Sequence, residues 1–289
     1  MKKVRVDFFR PAFPNAAQTF DEFLRRAATL RATLRLQPLS DEILLLITEI
    51  RHPNGNVWVG EIHRIRTKGF PGRIDLRTLQ EEELGLLAQQ GLVDRIHFAY
   101  RTDLDALALQ ASRDFRPGAF RACIQHVSEL PFDLALVLKR GAYERLLGLR
   151  TVSTMNVRVA NPPDAAEFTG PDAPGVAEIT KLLRDFGAAR VEIKIRREKR
   201  KRASLIYESV RDFVDRIVHD PDRMDSIEAL SVEGKREEDD NLEAVDFVRD
   251  RLMFAGNVDF DAHLRLDPNQ CRNLVINALT EYAAELRRR

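Results

Sequence analysis

Apolar and polar residues alternate along many short segments of the chain, and this period of two predicts β-strands. The first such segment opens the chain, where Val4, Val6 and Phe8 alternate with charged residues. Pro53-Asn54-Gly55 separates two further segments and predicts a β-hairpin, because Asn-Gly favours a tight hairpin turn. The predicted strands are residues 4–8, 43–51, 57–66, 95–101, 104–109, 132–138, 152–159, 191–195, 227–234 and 245–258.

Other segments repeat their apolar residues with the period of an α-helix, and local capping signals fix several of the helix ends. Thr19-Phe20-Asp21-Glu22 is a capping box that begins the first helix. Asp267-Pro268 combines a good N-cap with proline at the first helical position and begins the last helix. The other predicted helices are residues 79–90, 117–126, a short segment ending at 147, 174–186 and 203–219.

The order of these elements predicts two domains. From residue 151 to 244 the pattern is strand, helix, strand, helix, strand, with a loop over 161–174 that contains four prolines. Such a set can close a compact α/β subdomain, and the final strand and helix are expected to return to the first domain. We therefore predict an α+β protein with mixed antiparallel sheets and flanking helices, a domain of residues 1–150 plus 245–289 and a smaller domain of residues 151–244.

Composition places the chain among globular proteins and limits how it could bind a polyanion. Hydrophobic residues make up 44% and charged residues 31% of 289 residues, but the net charge is only +1. Affinity for nucleic acid must therefore come from local clustering of basic residues. The chain begins with Met1-Lys2-Lys3 and then a predicted strand, so it lacks the apolar segment of a secretory signal and is expected to be cytoplasmic.

One segment carries such a cluster. Because Val191, Ile193 and Ile195 alternate as core-facing residues of a strand, Lys194 and Arg196 are expected to face outward. Crowded like charges repel one another unless anions lie nearby, so we interpret the segment as a strip that binds nucleic-acid phosphates. Residues 194–202 contain seven basic side chains: Lys194, Arg196, Arg197, Lys199, Arg200, Lys201 and Arg202.

Two other interpretations of this segment stay open. It is either a solvated face balanced by acidic residues such as those at 237–240, or a surface that docks an acidic protein partner. A second basic set, Arg64, Arg66 and Lys68, is expected on one face of the strand over 57–66 and its extension. By itself this set is typical of an ordinary solvent-facing strand, although with residues 194–202 it would line a groove.

The sharpest catalytic hypothesis is a Mg²⁺-dependent nuclease. Glu192 and Lys194 form a Glu-x-Lys triplet, and Asp172 with Glu192 would hold the metal while Lys194 positions a water. Such nucleases place the aspartate on a neighbouring strand, whereas Asp172 falls in the proline-rich loop. No pair of histidines has the spacing of metal ligands, and nucleotide-binding and serine-hydrolase motifs are missing. We expect binding without catalysis, with no cofactor, metal or small-molecule substrate.

The order and spacing of the elements resemble those of a known family. The matching order of elements runs from the helix at 19–30 and the hairpin ending at 57–68 to the strand Met155-Asn156-Val157-Arg158-Val159. It continues with the helix ending at 182–188 and with Val191-Glu192-Ile193-Lys194-Ile195-Arg196-Arg197 before a basic helix start. In this layout the chain is similar to the RexA-like family of DNA-binding proteins in phage exclusion.

The resemblance implies a function as well as a fold. It implies a homodimer whose subunits each have one globular and one mobile domain, with a fold related to the recombination-associated protein RdgC. It also implies that the protein binds duplex DNA of any sequence and has no catalytic activity. Its role would be the exclusion of other phages by abortive infection, together with a separate membrane effector. The basic positions at 194–202 are the only ones that the resemblance carries over.

Overall fold

The structure is a computed structural model in which the chain forms an α+β protein, and this confirms the predicted fold class. The chain divides into two compact units. Unit 1 is Met1–Leu134 with Met253–Arg289, and unit 2 is Ala135–Leu252. The structure describes all residues except 15–17, 71–72, 76, 78–79, 83–89, 113, 140, 161–189, 198–204, 219–226, 238–240 and 288–289.

The described strands are short and distributed along the whole chain. In chain order they are β1 (Lys2–Ala12), β2 (Leu36–Pro38), β3 (Ile43–Asn54), β4 (Val57–Arg66), β5 (Arg73–Asp75), β6 (Gln80–Glu82), β7 (Leu92–Arg101), β8 (Ala106–Gln110), β9 (Asp133–Leu136), β10 (Thr151–Ala160), β11 (Arg190–Arg196), β12 (Ile227–Lys235), β13 (Glu243–Asp246) and β14 (Met253–Val258). The described α-helices are α1 (Phe20–Thr29), α2 (Pro117–Ser128), α3 (Ala142–Gly148), α4 (Tyr207–Val218), α5 (Pro268–Glu281) and α6 (Ala283–Leu286). Among these helices, none combines the length and apolar composition needed to cross a bilayer.

Unit 1 is built on an antiparallel sheet with the strand order β14-β1-β8-β7-β4-β3-β2. The predicted hairpin β3–β4 is confirmed, with Asn54 paired to Val57 at its turn, and β7 and β8 form a second antiparallel pair. Helices cover both faces of this sheet. Side chains of α1 and α2 pack on the face that carries Trp58, Phe98 and Tyr100, whereas α5 lies over the other face.

Helix α1 begins with the predicted capping box. The Thr19 hydroxyl accepts from the Glu22 amide at 3.2 Å, and the Glu22 carboxylate accepts from the Thr19 amide at 3.0 Å. These two bonds satisfy backbone donors that have no partner within the helix. The helix then buries Phe20, Phe23 and Leu24 against the sheet.

The predicted helix at 79–90 is wrong at its start. Gln80–Glu82 forms strand β6, which pairs with β5, and residues 83–89 lie outside the described part of the chain. Glutamine and glutamate favour helices, but helix propensity is small per residue and is overridden by pairing with a second strand.

Unit 2 contains an antiparallel sheet with the order β11-β10-β12-β13. Its core lies on one face of the sheet, where Met155, Val157 and Val232 meet Val214 of α4. The predicted strands β10, β11 and β12 and the predicted helix now seen as α4 are confirmed in their described parts. The predicted loop at 161–174 and helix at 174–186 lie outside the described residues.

The capping box is expected to contribute measurably to the free energy of unfolding of unit 1. Replacing Thr19 by alanine removes the side-chain acceptor, so we expect the free energy of unfolding to fall by about 1 kcal/mol. Thr19→Ser keeps the hydroxyl and serves as the matched control. Urea denaturation followed by circular dichroism measures both variants, and equal stability of the two would show that the cap contributes nothing.

Candidate nucleic-acid interface

The described part of the predicted basic segment lies at the end of an edge strand. Strand β11 pairs with β10 on one side and, among the described strands, is the last one of the unit 2 sheet. Lys194, Arg196 and Arg197 all have exposed side chains, and we call these three residues the basic strip. The predicted phosphate contacts Lys199, Arg200, Lys201 and Arg202 lie outside the described residues.

The register of the sheet determines which way the basic strip faces. Lys194 pairs with Asn156, and Arg196 pairs with Thr154. Directly paired residues in an antiparallel sheet point to the same face, and neighbours along a strand point to opposite faces. Since Met155 is buried in the core, Lys194 and Arg196 lie on the face away from the core, as predicted.

The apolar side of β11 is less buried than predicted. Ile195 pairs with the core residue Met155, so it points to the core side of the sheet, yet 41% of its surface is exposed. Ile193 is half-buried, and the side chain of Val191 lies outside the described part. The difference follows from the position of β11 at the edge, where apolar residues have neighbours on one side only.

The two arginines of the basic strip are not neutralised by the described carboxylates. Glu192, the acidic residue of β11, instead accepts a hydrogen bond from Arg158 of β10 at 2.9 Å. This bond lowers the pKa of Glu192, so the carboxylate stays ionised. Within the described ranges, no carboxylate forms an ion pair with Arg196 or Arg197.

The same contacts bear on the nuclease hypothesis. Glu192 is held by Arg158, and Lys194 is exposed two pairs further along the strand. Asp172 lies outside the described residues. Among the residues that are described, no group of three histidine, cysteine or acidic side chains is placed to hold a metal ion.

The second predicted basic set differs from the expected solvent-facing strand. Arg64 is only 8% exposed, and its guanidinium donates to Asp94 at 3.2 Å. Arg66 is half-buried, and Lys68 is exposed beyond the end of β4. The reason is that β4 is an interior strand between β3 and β7, so little of its surface reaches water.

Beneath α5, the sheet of unit 1 contains a buried polar row that the sequence did not reveal. Glu49, Glu61 and His97 are paired across β3, β4 and β7, and Gln110 of β8 continues the row. His97 Nε2 lies 3.2 Å from a Glu61 carboxylate oxygen, and its Nδ1 lies 3.0 Å from Gln110 Oε1. Glu61 also contacts His63 through its other carboxylate oxygen.

The polar row holds a charge inside the protein. Burial opposes ionisation of Glu61, but a hydrogen bond with His63 and the close approach of His97 outweigh it and hold the Glu61 pKa well below its usual range. Cys271 of α5 lies nearby, and burial raises the pKa of its thiol to about 11. The thiol is therefore neutral. The polar row also joins the sheet to α5, because Arg272 of α5 pairs with Glu49 at 2.6 Å.

The Glu61 carboxylate predicts a pH-dependent stability of unit 1. Its pKa is depressed in the folded state, so its stabilisation is present above the ordinary value of 4.5 and is lost as the pH falls below it. Glu61→Gln removes the charged acceptor of the buried hydrogen bond with His63 and should lower the free energy of unfolding by about 2 kcal/mol at pH 7. The loss should be smaller at pH 4.

Urea denaturation at pH 7 and pH 4 measures this difference. Glu285→Gln, at an exposed position of α6, is the control for the removal of one negative charge from unit 1. A Glu61→Gln variant as stable as the Glu285→Gln variant at pH 7 would contradict the role of the polar row.

The chain matches no model of a known protein family. It also matches no curated protein.

Proposed function

We propose that the chain binds nucleic acid through the basic strip, and that the ligand is duplex DNA of any sequence. The observation that carries the proposal is the exposure of Lys194, Arg196 and Arg197 together at one end of β11. Among the described residues, no carboxylate pairs with Arg196 or Arg197.

The chemistry of the strip suits phosphate groups. Guanidinium groups form paired, charge-assisted hydrogen bonds with phosphate oxygens, and each neutralised phosphate releases condensed counterions. Beside the strip, Asn156 and Ser231 are half-buried and carry short polar side chains on the same face of the sheet. Short side chains leave room for a sugar-phosphate backbone. Because phosphates are the same for every sequence, such contacts give affinity without base specificity.

The biological role proposed here follows the resemblance to the RexA-like family. The chain would be the DNA-binding sensor of a phage-exclusion system, acting without catalysis and as a homodimer together with a separate membrane effector. Support comes from the order of the elements around the basic strip, from β10 through β11 to α4 and β12. The two-unit α+β architecture is compatible with this role.

The salt dependence of DNA binding tests the proposed function directly. If the three residues of the strip each neutralise one phosphate, log affinity should fall with log salt concentration with a slope of about −2.7 per chain. Mobility-shift titrations with two duplexes of unrelated sequence measure the slope and the sequence dependence together. Strong preference for one duplex would contradict sequence-independent binding.

Charge reversal within the strip should abolish that binding. We expect Arg196→Glu with Arg197→Glu to lower the affinity at least a hundredfold without changing thermal unfolding. The control is Arg51→Glu with Arg249→Glu, whose side chains are 67% and 87% exposed. Each Arg→Glu change lowers the net charge by 2, so either pair changes it from +1 to −3. Equal DNA affinity of the two double variants would show that the basic strip is not the DNA-binding site.

A cleavage assay separates binding from catalysis. We expect supercoiled plasmid to stay intact after incubation with the protein and Mg²⁺ or Mn²⁺, because Glu192 is already paired with Arg158. Cleavage that disappears in a Glu192→Gln variant would favour the nuclease alternative. Capture of an acidic protein that survives nuclease treatment, without binding to either duplex, would favour the protein-docking alternative.

A further inference from the structure

Among the described strands, β11 pairs with β10 alone, so within that part of the chain the backbone groups on its other edge have no partner strand. The Arg197 amide donates to the Ser153 carbonyl at 3.0 Å, one step beyond the pair Thr154 and Arg196. In an antiparallel pair, successive residues alternate between facing their partner strand and facing away from it. The backbone groups of Arg196, Lys194 and Glu192 therefore point outward, away from β10.

The side chains along this edge are complementary to themselves. We propose that β11 pairs antiparallel with β11 of a second copy, about a two-fold axis at Ile193. In this register Glu192 lies opposite Lys194 of the second copy, and Lys194 lies opposite Glu192 of the second copy. Opposite charges directly across strands stabilise the pair. The backbone N–H and C=O groups of Glu192 and Lys194 both point outward. In this register Glu192 of one copy and Lys194 of the other therefore form a hydrogen-bonded antiparallel pair.

The burial of the apolar side chains supports the same partner. Ile193 is half-buried and Ile195 is 41% exposed, although both lie on the core side of the sheet. A strand added at this edge covers them. A register centred on Lys194 would place two lysines directly opposite each other, which is destabilising. The charge pattern therefore favours the axis at Ile193.

This pairing would build the DNA surface from two copies. The two four-stranded sheets become one continuous sheet, and Lys194 and Arg196 of both copies lie on the face away from the cores. The two Arg196 residues are separated by six positions along the strand direction, which corresponds to about 20 Å. The assignment of DNA to the joined surface rests on the proposed function, whereas the pairing itself is tested without DNA.

Disulfide trapping tests the axis. Across a non-hydrogen-bonded antiparallel pair the Cα atoms are about 4.5 Å apart, which a disulfide can span. Ile193→Cys should therefore form a covalent dimer under mild oxidation. Lys194→Cys is the matched control, because its two copies lie diagonally at about 8 Å, beyond disulfide reach. The native Cys123 and Cys271 are buried and do not compete.

A covalent dimer of the Ile193→Cys variant alone supports the proposal. No covalent dimer of either variant, or a dimer of the Lys194→Cys variant alone, overturns it. The contact involves one strand from each copy, so it is small and the free dimer is expected to be weak. The oxidation is therefore run over protein concentrations from about 10 µM to 1 mM, where weak dimers are populated.

Charge exchange tests the register independently. Glu192→Lys or Lys194→Glu alone places like charges opposite each other, so each should raise the dimer dissociation constant at least tenfold in sedimentation equilibrium. The double variant restores opposite charges and should return to within about threefold of the original chain. Thermal unfolding checks each variant, because Glu192 also pairs with Arg158. A double variant as weak as the single variants overturns the register.

DNA titration separates the two proposals. When DNA joins two copies, the slope of log affinity against log salt should double to about −5.4. A slope of about −2.7 with no covalent dimer leaves DNA binding intact and overturns the pairing. A covalent dimer that does not bind DNA supports the pairing and overturns the proposed function.

Discussion

Antiparallel pairing in a fixed register is the constraint on which both units depend. In unit 1 both faces of the sheet are covered by helices, so the polar side chains beneath α5 cannot reach water. Glu61 and His97 are tolerated there because the register places them side by side, with Gln110 as the next partner. A slip of one residue would move each of these groups to the opposite face and leave charges buried without partners.

In unit 2, polar side chains of the sheet are placed on an exposed face instead of being buried with partners. Its described core occupies one face of the sheet, so polar and basic residues can occupy the other face without being buried. The contrast between Arg64 and Arg196 shows the effect. Both are arginines on strands, but Arg64 is enclosed and neutralised by Asp94, whereas Arg196 is exposed at an edge. The position of a strand in its sheet decides which basic residue can meet a ligand.

The parts of the fold that could be predicted are those encoded by neighbouring residues. The turn at Asn54-Gly55 and the capping box at Thr19 act within a few positions, and both appear as expected. The strand at Gln80–Glu82 could not be predicted, because it depends on pairing with β5. The approach of Glu61 to His97 depends on which strands become neighbours. Local sequence does not contain that information, although a lone acid in an apolar strand is a signal that a partner is needed.

The pairing of β1 with β14 has a consequence for how the protein is made. These two strands come from opposite ends of unit 1, and all of unit 2 is translated between them. Until Met253–Val258 leaves the ribosome, one edge of β1 lacks its partner, and the polar row still lacks α5 above it. Unit 2 can therefore fold before unit 1 is complete, since domains generally fold as units during synthesis. In the nascent chain, strand β11 with its basic residues would fold before β14 and α5 complete the sheet that contains Glu61.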